Sequence, residues 1–207
     1  VMNPALAARA MMLISWPVAM TTWTVQGVSG ATPLAFLKGM SSAAAVSQAT
    51  SAATEAASST SPALHALWNL FIGNVGGCIG ETSAAALLLG GAVLIWRGII
   101  SWRIPVVYIA TVAVLSLAFG RAGGPLYEVL VGGLMLGAFF MATDYTTSPM
   151  TARGQFVFAA GCGLLTALIR TFGGYPEGVS YSILIMNLTV PLIDRLTVPR
   201  ILGEARR

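Results

Sequence analysis

Charged side chains are scarce: 11 Lys and Arg and 7 Asp and Glu stand among 207 residues. That is 9% of the chain, where an ordinary soluble domain carries about 25%. So few charges cannot cover a surface that faces water on every side, which excludes a soluble globular enzyme. Histidine occurs once, at His65, and cysteine twice, at Cys78 and Cys162. There is no CxxC, no second His and no Cys beside His65, so zinc-ligand spacing is absent. A Ser–His–acid hydrolase has no strand-turn-helix Ser motif to build on. Both cysteines lie in Gly-rich apolar stretches, where a free thiol is expected to behave as a small buried hydrophobe. The net charge is +4, but the arginines are scattered between apolar runs. No basic stripe follows a phosphate backbone, and nucleic acid is excluded as a partner. The chain opens without Met or a basic n-region, so no signal peptide is expected and the sequence reads as part of a longer chain. No repeat of 20–50 residues is visible.

What is abundant is apolar, at 56% of all residues. A spanning helix needs about 20 such residues to cross the hydrocarbon of a bilayer. Six candidates follow: Ala5 to Trp23 with a kink at Pro17, Leu64 to Trp96 with room for a break, and Ile104 to Phe119. Leu126 to Thr143, Gln155 to Thr171 and Val179 to Leu196 complete the set. Trp16, Trp23, Trp68, Trp96 and Trp102 mostly fall near span ends, as interfacial aromatics do. The expected fold is an all-α integral membrane protein of about six transmembrane spans with at least one broken, Gly-rich helix. Arg9, Arg97, Arg103, Arg153, Arg195, Arg200, Arg206 and Arg207 fall on one side, and Lys38, Arg121 and Arg170 on the other. The positive-inside rule therefore predicts cytoplasmic termini.

The chain divides into a span at 1–24, an outward loop at 25–62, a five-span bundle at 63–198 and a cytoplasmic tail at 199–207. Within the loop, 18 of the 22 residues from Ser41 to Pro62 are Ser, Ala or Thr, a tract unable to bury a core. Ser61–Pro62 then predicts an N-cap and a first helical residue, restarting helix at Ala63.

Three segments are too polar or too rich in glycine for passive spans. Ser29-Gly30-Ala31-Thr32 lies in the outward loop, Gly73 to Ser83 inside the second span, and Met141 to Pro149 at the inner end of the fourth. The glycine segment predicts a broken helix whose second half starts near Glu81-Thr82-Ser83. Its competing reading is a glycine-lined packing face. Glu81 favours function, because an ionisable residue inside a span is a functional candidate by default. Asp144 and Asp194, at inner span ends, are either interfacial carboxylates with Arg153 and Arg195 as partners or candidates for cation coupling. Glu177 lies in an outward turn.

Ser29-Gly30-Ala31-Thr32 resembles the S/T-G-A-T sequence at which a flavin transferase attaches FMN to threonine through a phosphoester. Taken with GNVGGCIGETS, MATDYTTSPMT, FGGYPEGVSYSILIMN and PLIDRLTVPR, the chain resembles the D subunits of Rnf complexes from about Met2 to Gly203. Those complexes are ion-translocating ferredoxin:NAD oxidoreductases, and the B subunits of sodium-pumping NADH:quinone reductases are close relatives. Gln26 stands where the attachment pattern usually has an acidic residue, and family members carry further spans before this region.

The resemblance implies a membrane electron-transfer subunit of a redox-driven ion translocase in the bacterial inner membrane. It implies covalent FMN on Thr32, on the outer side, with Ser29, Gly30 and Ala31 around it. A second, non-covalent riboflavin is compatible with the family. Gly73, Asn74 and Thr82, with Tyr175 and Glu177, are the candidates to line a flavin cavity. Glu81, Asp144 and Asp194 are the candidates for coupling to Na+ or H+. The implied partners are the flavin transferase and the other membrane and peripheral subunits, including an outward-facing flavoprotein subunit. The alternative function is a transporter or channel subunit without a redox centre, and a third is a scaffold; bound flavin separates both from the redox reading.

Overall fold

A computed structural model of the chain describes residues 2–25, 28–31, 62–73, 80–120, 124–173 and 178–198. Proline, glycine and capping side chains set where its helices start and stop. Helix α1 (Pro4–Ser15) is capped by Asn3, whose side-chain oxygen accepts from the Ala5 amide at 3.0 Å. It ends because Trp16 precedes Pro17 and is driven out of helical backbone, to φ −132° and ψ 62°. Helix α2 (Pro17–Thr21) then gives way to strand β1 (Thr22–Val25), which pairs antiparallel with β2 (Val28–Ala31). The first span is thus shorter than the sequence reading to Trp23. Thr22, Trp23, Thr24 and Val25 are β-branched or aromatic residues that suit a paired strand. Apart from this one hairpin the regular elements among the described residues are helices.

Helix α3 (Pro62–Ile72) begins at Pro62, as the Ser-Pro step predicts; Ser61 lies outside the described residues. It closes at Gly73, whose φ of +107° is left-handed and whose amide bonds Asn69 O at 2.8 Å. Helix α4 (Ala84–Trp96) restarts behind Ser83, whose Oγ accepts from the Ala86 amide at 3.3 Å. Helix is therefore interrupted between Leu64 and Trp96, as expected. A Cβ on Gly73 would stand 2.9 Å from Ser83 Cβ, so the two ends of the break are pinched together. Ser83→Ala is expected to weaken the restart by about 1 kcal/mol, measured as earlier thermal loss of the assembled complex in detergent.

Helix α5 (Arg103–Ala118) is followed by α6 (Gly124–Leu130) and α7 (Leu134–Leu136), the latter running on as a π-helix over Gly137–Met141. The α6 and α7 halves are bent by 67° across their break. Helices α8 (Ala152–Phe172) and α9 (Val179–Thr197) are each long and apolar enough to cross a membrane. The bent pair makes a third such element, whereas α1, α4 and α5 are apolar but shorter. Six spans thus remain the expectation of the sequence, and the described helices supply these three on length and composition.

The core joins α1, α5, α7, α8 and α9 through Leu6, Tyr108, Leu134, Phe158, Cys162 and Ile183. Cys162 is free and buried, as expected; Cys78 lies outside the described residues. Small residues let the helices approach closely, the device of membrane bundles. A Cβ on Gly137 would fall 2.3 Å from Val179 Cγ1, and one on Gly163 would fall 2.6 Å from Thr111 Cβ. Three buried hydroxyls tie α5, α8 and α9 together: Tyr108 lies 2.7 Å from Thr166 and 3.0 Å from Ser182, and these two are 2.7 Å apart. Each finds a partner, as buried polar groups must. Large apolar side chains cover the outside, including Met11, Trp68, Leu89, Trp96, Val114 and Leu192. A surface of that kind faces lipid or other subunits rather than water.

Candidate functional site

Glu81 sits between the pinched Gly73–Ser83 ends and the start of α4, with its side chain 4% exposed. Its Oε2 accepts from Arg9 Nη2 of α1 at 3.1 Å. Its Oε1 has no hydrogen-bond partner among the described residues. That oxygen lies against Gly133, at the break between α6 and α7. A Cβ there would stand 2.7 Å from it and 3.7 Å from Arg9 Nη1. A carboxylate beside the opening turn of the Leu134–Met141 half-helix also meets the positive end of its dipole.

A second ion pair lies on the other side of the same break. Arg170 of α8 donates from Nη1 to Glu128 Oε2 at 3.1 Å and to the Glu128 carbonyl at 2.7 Å. Its Nη2 donates to the Val131 carbonyl at 3.3 Å. The Glu128 carbonyl belongs to the last turn of α6, which a helix cannot satisfy internally, and Val131 is the residue that follows the helix. Gly132, next in the chain, takes φ +72°, a left-handed position that suits glycine after a helix end. The guanidinium therefore caps the negative end of one half-helix, while the Glu81 carboxylate attends the positive end of the other. The topology count used Arg9 and Arg170 only for the membrane side on which each falls. In the structure Arg170 is 1% exposed and Arg9 17%, each ion-paired inside the bundle. A lone buried charge is costly, so each guanidinium is drawn to a carboxylate.

Glu128 was not singled out from the sequence, although it lies within the fourth expected span. The rule that flagged Glu81, that an ionisable residue inside a span is functional by default, applies to it equally. Asp144 and Asp194 are not brought to the break. Asp144 Oδ2 accepts from the Thr146 and Thr147 hydroxyls, and Asp194 Oδ1 accepts from the Met150 amide. These partners, hydroxyls and a backbone N–H, take the place expected for Arg153 and Arg195: Asp144 lies among the turns after the π-helix, and Asp194, in the last turns of α9, meets the Met150 amide in the segment before α8. Met141 to Pro149 leaves the π-helix in a sequence of turns, with Tyr145 OH donating to the Ile99 carbonyl.

Of the flavin-site residues, Ser29, Gly30 and Ala31 form β2, with Ala31 opposite Thr22 and Gly30 opposite Trp23. Thr32, Asn74, Tyr175 and Glu177 lie outside the described residues. Gly73 serves as the left-handed end of α3, and Thr82 is half-buried beside Glu81.

Apolar helices, small-residue crossings and charge pairs buried at a broken span define a helical membrane protein with ionisable groups held inside its bundle. Within that class the chain belongs to the NQR2, RnfD, RnfE family, which it matches over residues 1–203. It is 51% identical over 210 residues to the D subunit of a Na(+)-translocating ferredoxin:NAD(+) oxidoreductase complex of Acetobacterium woodii. That match covers 99% of this chain and 59% of the relative. The D subunit of a proton-translocating ferredoxin:NAD(+) oxidoreductase complex of Clostridium ljungdahlii is 48% identical, covering 100% of this chain and 62% of the relative. The D subunit of an ion-translocating oxidoreductase complex of Stutzerimonas stutzeri is 39% identical, with 100% and 64% covered. The chain thus spans roughly three-fifths of the length of these relatives.

Proposed function

We propose that the chain is the flavin-bearing part of a membrane subunit in an ion-translocating ferredoxin:NAD+ oxidoreductase complex. Its work is to carry electrons across the outer face of the complex and to help couple their flow to Na+ or H+ movement. The observation that carries this reading is Ser29-Gly30-Ala31-Thr32, an S-G-A-T run in a chain of this family. The first three residues lie on β2, paired with β1, and Thr32 is next in the chain. An attachment residue directly after a paired strand suits a cofactor that must stay beside the membrane. Covalent FMN there would supply one- and two-electron redox chemistry, with the protein setting its position and potential. A tether removes the cost of binding a free ligand and fixes the reach to the next carrier.

Around that cofactor the chain supplies two kinds of group. The β1–β2 ladder holds the backbone before Thr32, and the broken spans carry the buried Glu81–Arg9 and Glu128–Arg170 pairs. Buried ionisable pairs at helix breaks suit a protein that moves charge, since a scaffold gains little stability from them. The arginine distribution supports an outward Thr32 loop and cytoplasmic termini: removing the two buried arginines still leaves most basic residues on one side. Partners in this reading are the other subunits of the complex, an outward-facing flavoprotein among them, and a flavin transferase. Asp144 and Asp194 remain candidate ion ligands at the inner ends of their spans.

A transporter subunit without a redox centre is the second reading, favoured by the same buried pairs. In-gel flavin fluorescence after full denaturation separates the two. With the complete subunit expressed beside its transferase, a fluorescent band is expected that disappears in Thr32→Ala. A dark band in both proteins, with the transferase shown active on a control substrate, would remove the tethered flavin and leave the transporter reading.

A further inference from the structure

The two ion pairs at the α6–α7 break differ in a way that separates their roles. Arg170 is 1% exposed and is bound to three acceptors, a carboxylate and two helix-end carbonyls. Nothing smaller could replace so many bonds at once, and the pair acts as a lock on the bend. Arg9 is 17% exposed and holds Glu81 through Oε2. Oε1 of the same carboxylate, in a side chain only 4% exposed, has no hydrogen-bond partner among the described residues. An ionised carboxylate offers about four lone-pair sites across its two oxygens. Here one oxygen is engaged by a cation and the other is turned toward unwound backbone at Gly133.

We propose that Arg9 is a built-in counter-cation that exchanges at Glu81 with the monovalent cation, Na+ or H+, that the protein moves. The proposal deepens the ion-coupling part of the function above and rests on it. Among the described residues Arg9 is the charged group facing Glu81, from α1, while α4 and the α6–α7 break bring no second cation to it. With Arg9 in place the buried charge is neutralised and the site is closed. A proton or Na+ arriving at Oε1 neutralises the same charge and releases the guanidinium, whose partial exposure gives it a path to water. Neither state leaves a bare carboxylate in the bundle. The exchange is therefore one for one: entry of a cation and departure of Arg9 are a single event. Gly133 belongs to this device because any side chain there would occupy the space in front of Oε1.

The test uses the complete complex in proteoliposomes, with Na+ as the probe at fixed pH and a pH series without added Na+ as the second arm. The quantities read are half-saturating cation for ferredoxin-driven NAD+ reduction and cations moved per electron. If Arg9 occupies Glu81 about nine-tenths of the time, removing it should lower the half-saturating concentration about tenfold. Arg9→Gln is expected to show that shift, with ion transport per electron reduced because the site no longer closes. Arg9→Lys should stay near wild type. Gly133→Ala should raise the half-saturating concentration, and Glu81→Gln should abolish the cation response.

If Arg9→Gln fails to assemble, the neutral pair Arg9→Gln/Glu81→Gln restores matched groups at the site and should assemble without a cation response. A wild-type cation response in that double variant, or in Glu81→Gln, would overturn the proposal. So would an unshifted Arg9→Gln. A wild-type complex that moves no cation at all would instead sink the ion-coupling function, a result distinct from these. Response in the Na+ arm alone or the pH arm alone identifies the cation.

Discussion

Arg170→Met is expected to destabilise the subunit by about 3–5 kcal/mol, enough to remove most of it from the assembled complex. The substitution removes the Arg170 N–H bonds to the Glu128 carboxylate and to the Glu128 and Val131 carbonyls, at a buried position. Thermal retention of the complex on size exclusion, with the membrane content of the subunit, reads the effect. Arg170→Lys should recover part of it, since an ammonium lacks the planar fork that reaches several acceptors together. Glu128→Gln should cost less than Arg170→Met, because the guanidinium then keeps both carbonyls and the favourable end of the α6 dipole. Equal losses in Arg170→Met and Glu128→Gln would show that the ion pair alone, and not the helix-end capping, holds the bend.

The second large effect is a contrast between two glycines two positions apart on α8. Gly163→Ala would place a Cβ 2.6 Å from Thr111 Cβ and 3.2 Å from the Tyr108 carbonyl. Neither neighbour can swing aside, so α5 and α8 must separate, at a cost of about 1–3 kcal/mol. They would also strain the hydroxyl triangle of Tyr108, Thr166 and Ser182 that sits at the same crossing. Gly161→Ala meets Met186 Cε at 2.4 Å, the free end of a flexible thioether that can re-pack. Its cost should be near zero, with the better helix propensity of Ala working in its favour. The same thermal assay compares them; equal losses would mean that helix separation, rather than the rigidity of the neighbour, sets the penalty.

The membrane character of the chain was legible in its composition, and the break between Gly73 and Ser83 in its glycines and the polar Glu81-Thr82-Ser83 that follows them. Glu81 was legible because a carboxylate inside an apolar run has no ordinary explanation. Its partner was not, since Arg9 lies 72 residues away and local patterning carries no information on such pairing. The topology count used Arg9 only to orient the chain and so gave it no partner. Arg170 was hidden for the same reason, 42 residues from Glu128. The hairpin was missed because Thr22 to Val25 continues an apolar run whose β-branched content mattered more than its hydropathy. The α6–α7 bend was missed because Gly132 and Gly133 lie inside a stretch that is apolar overall; there the backbone geometry departs from helix while the hydropathy does not.

The Glu128–Arg170 lock also bears on how the chain is made. During synthesis α6 emerges well before α8, carrying a carboxylate that costs several kcal/mol to bury alone in hydrocarbon. Until Arg170 arrives, the half-helix lacks the guanidinium that pairs with Glu128 and accepts no bond from it at the Glu128 and Val131 carbonyls. The α6–α7 pair is therefore expected to settle only after α8 has entered. Assembly of this bundle is thus expected to run partly backward along the chain, with a late arginine completing an early helix.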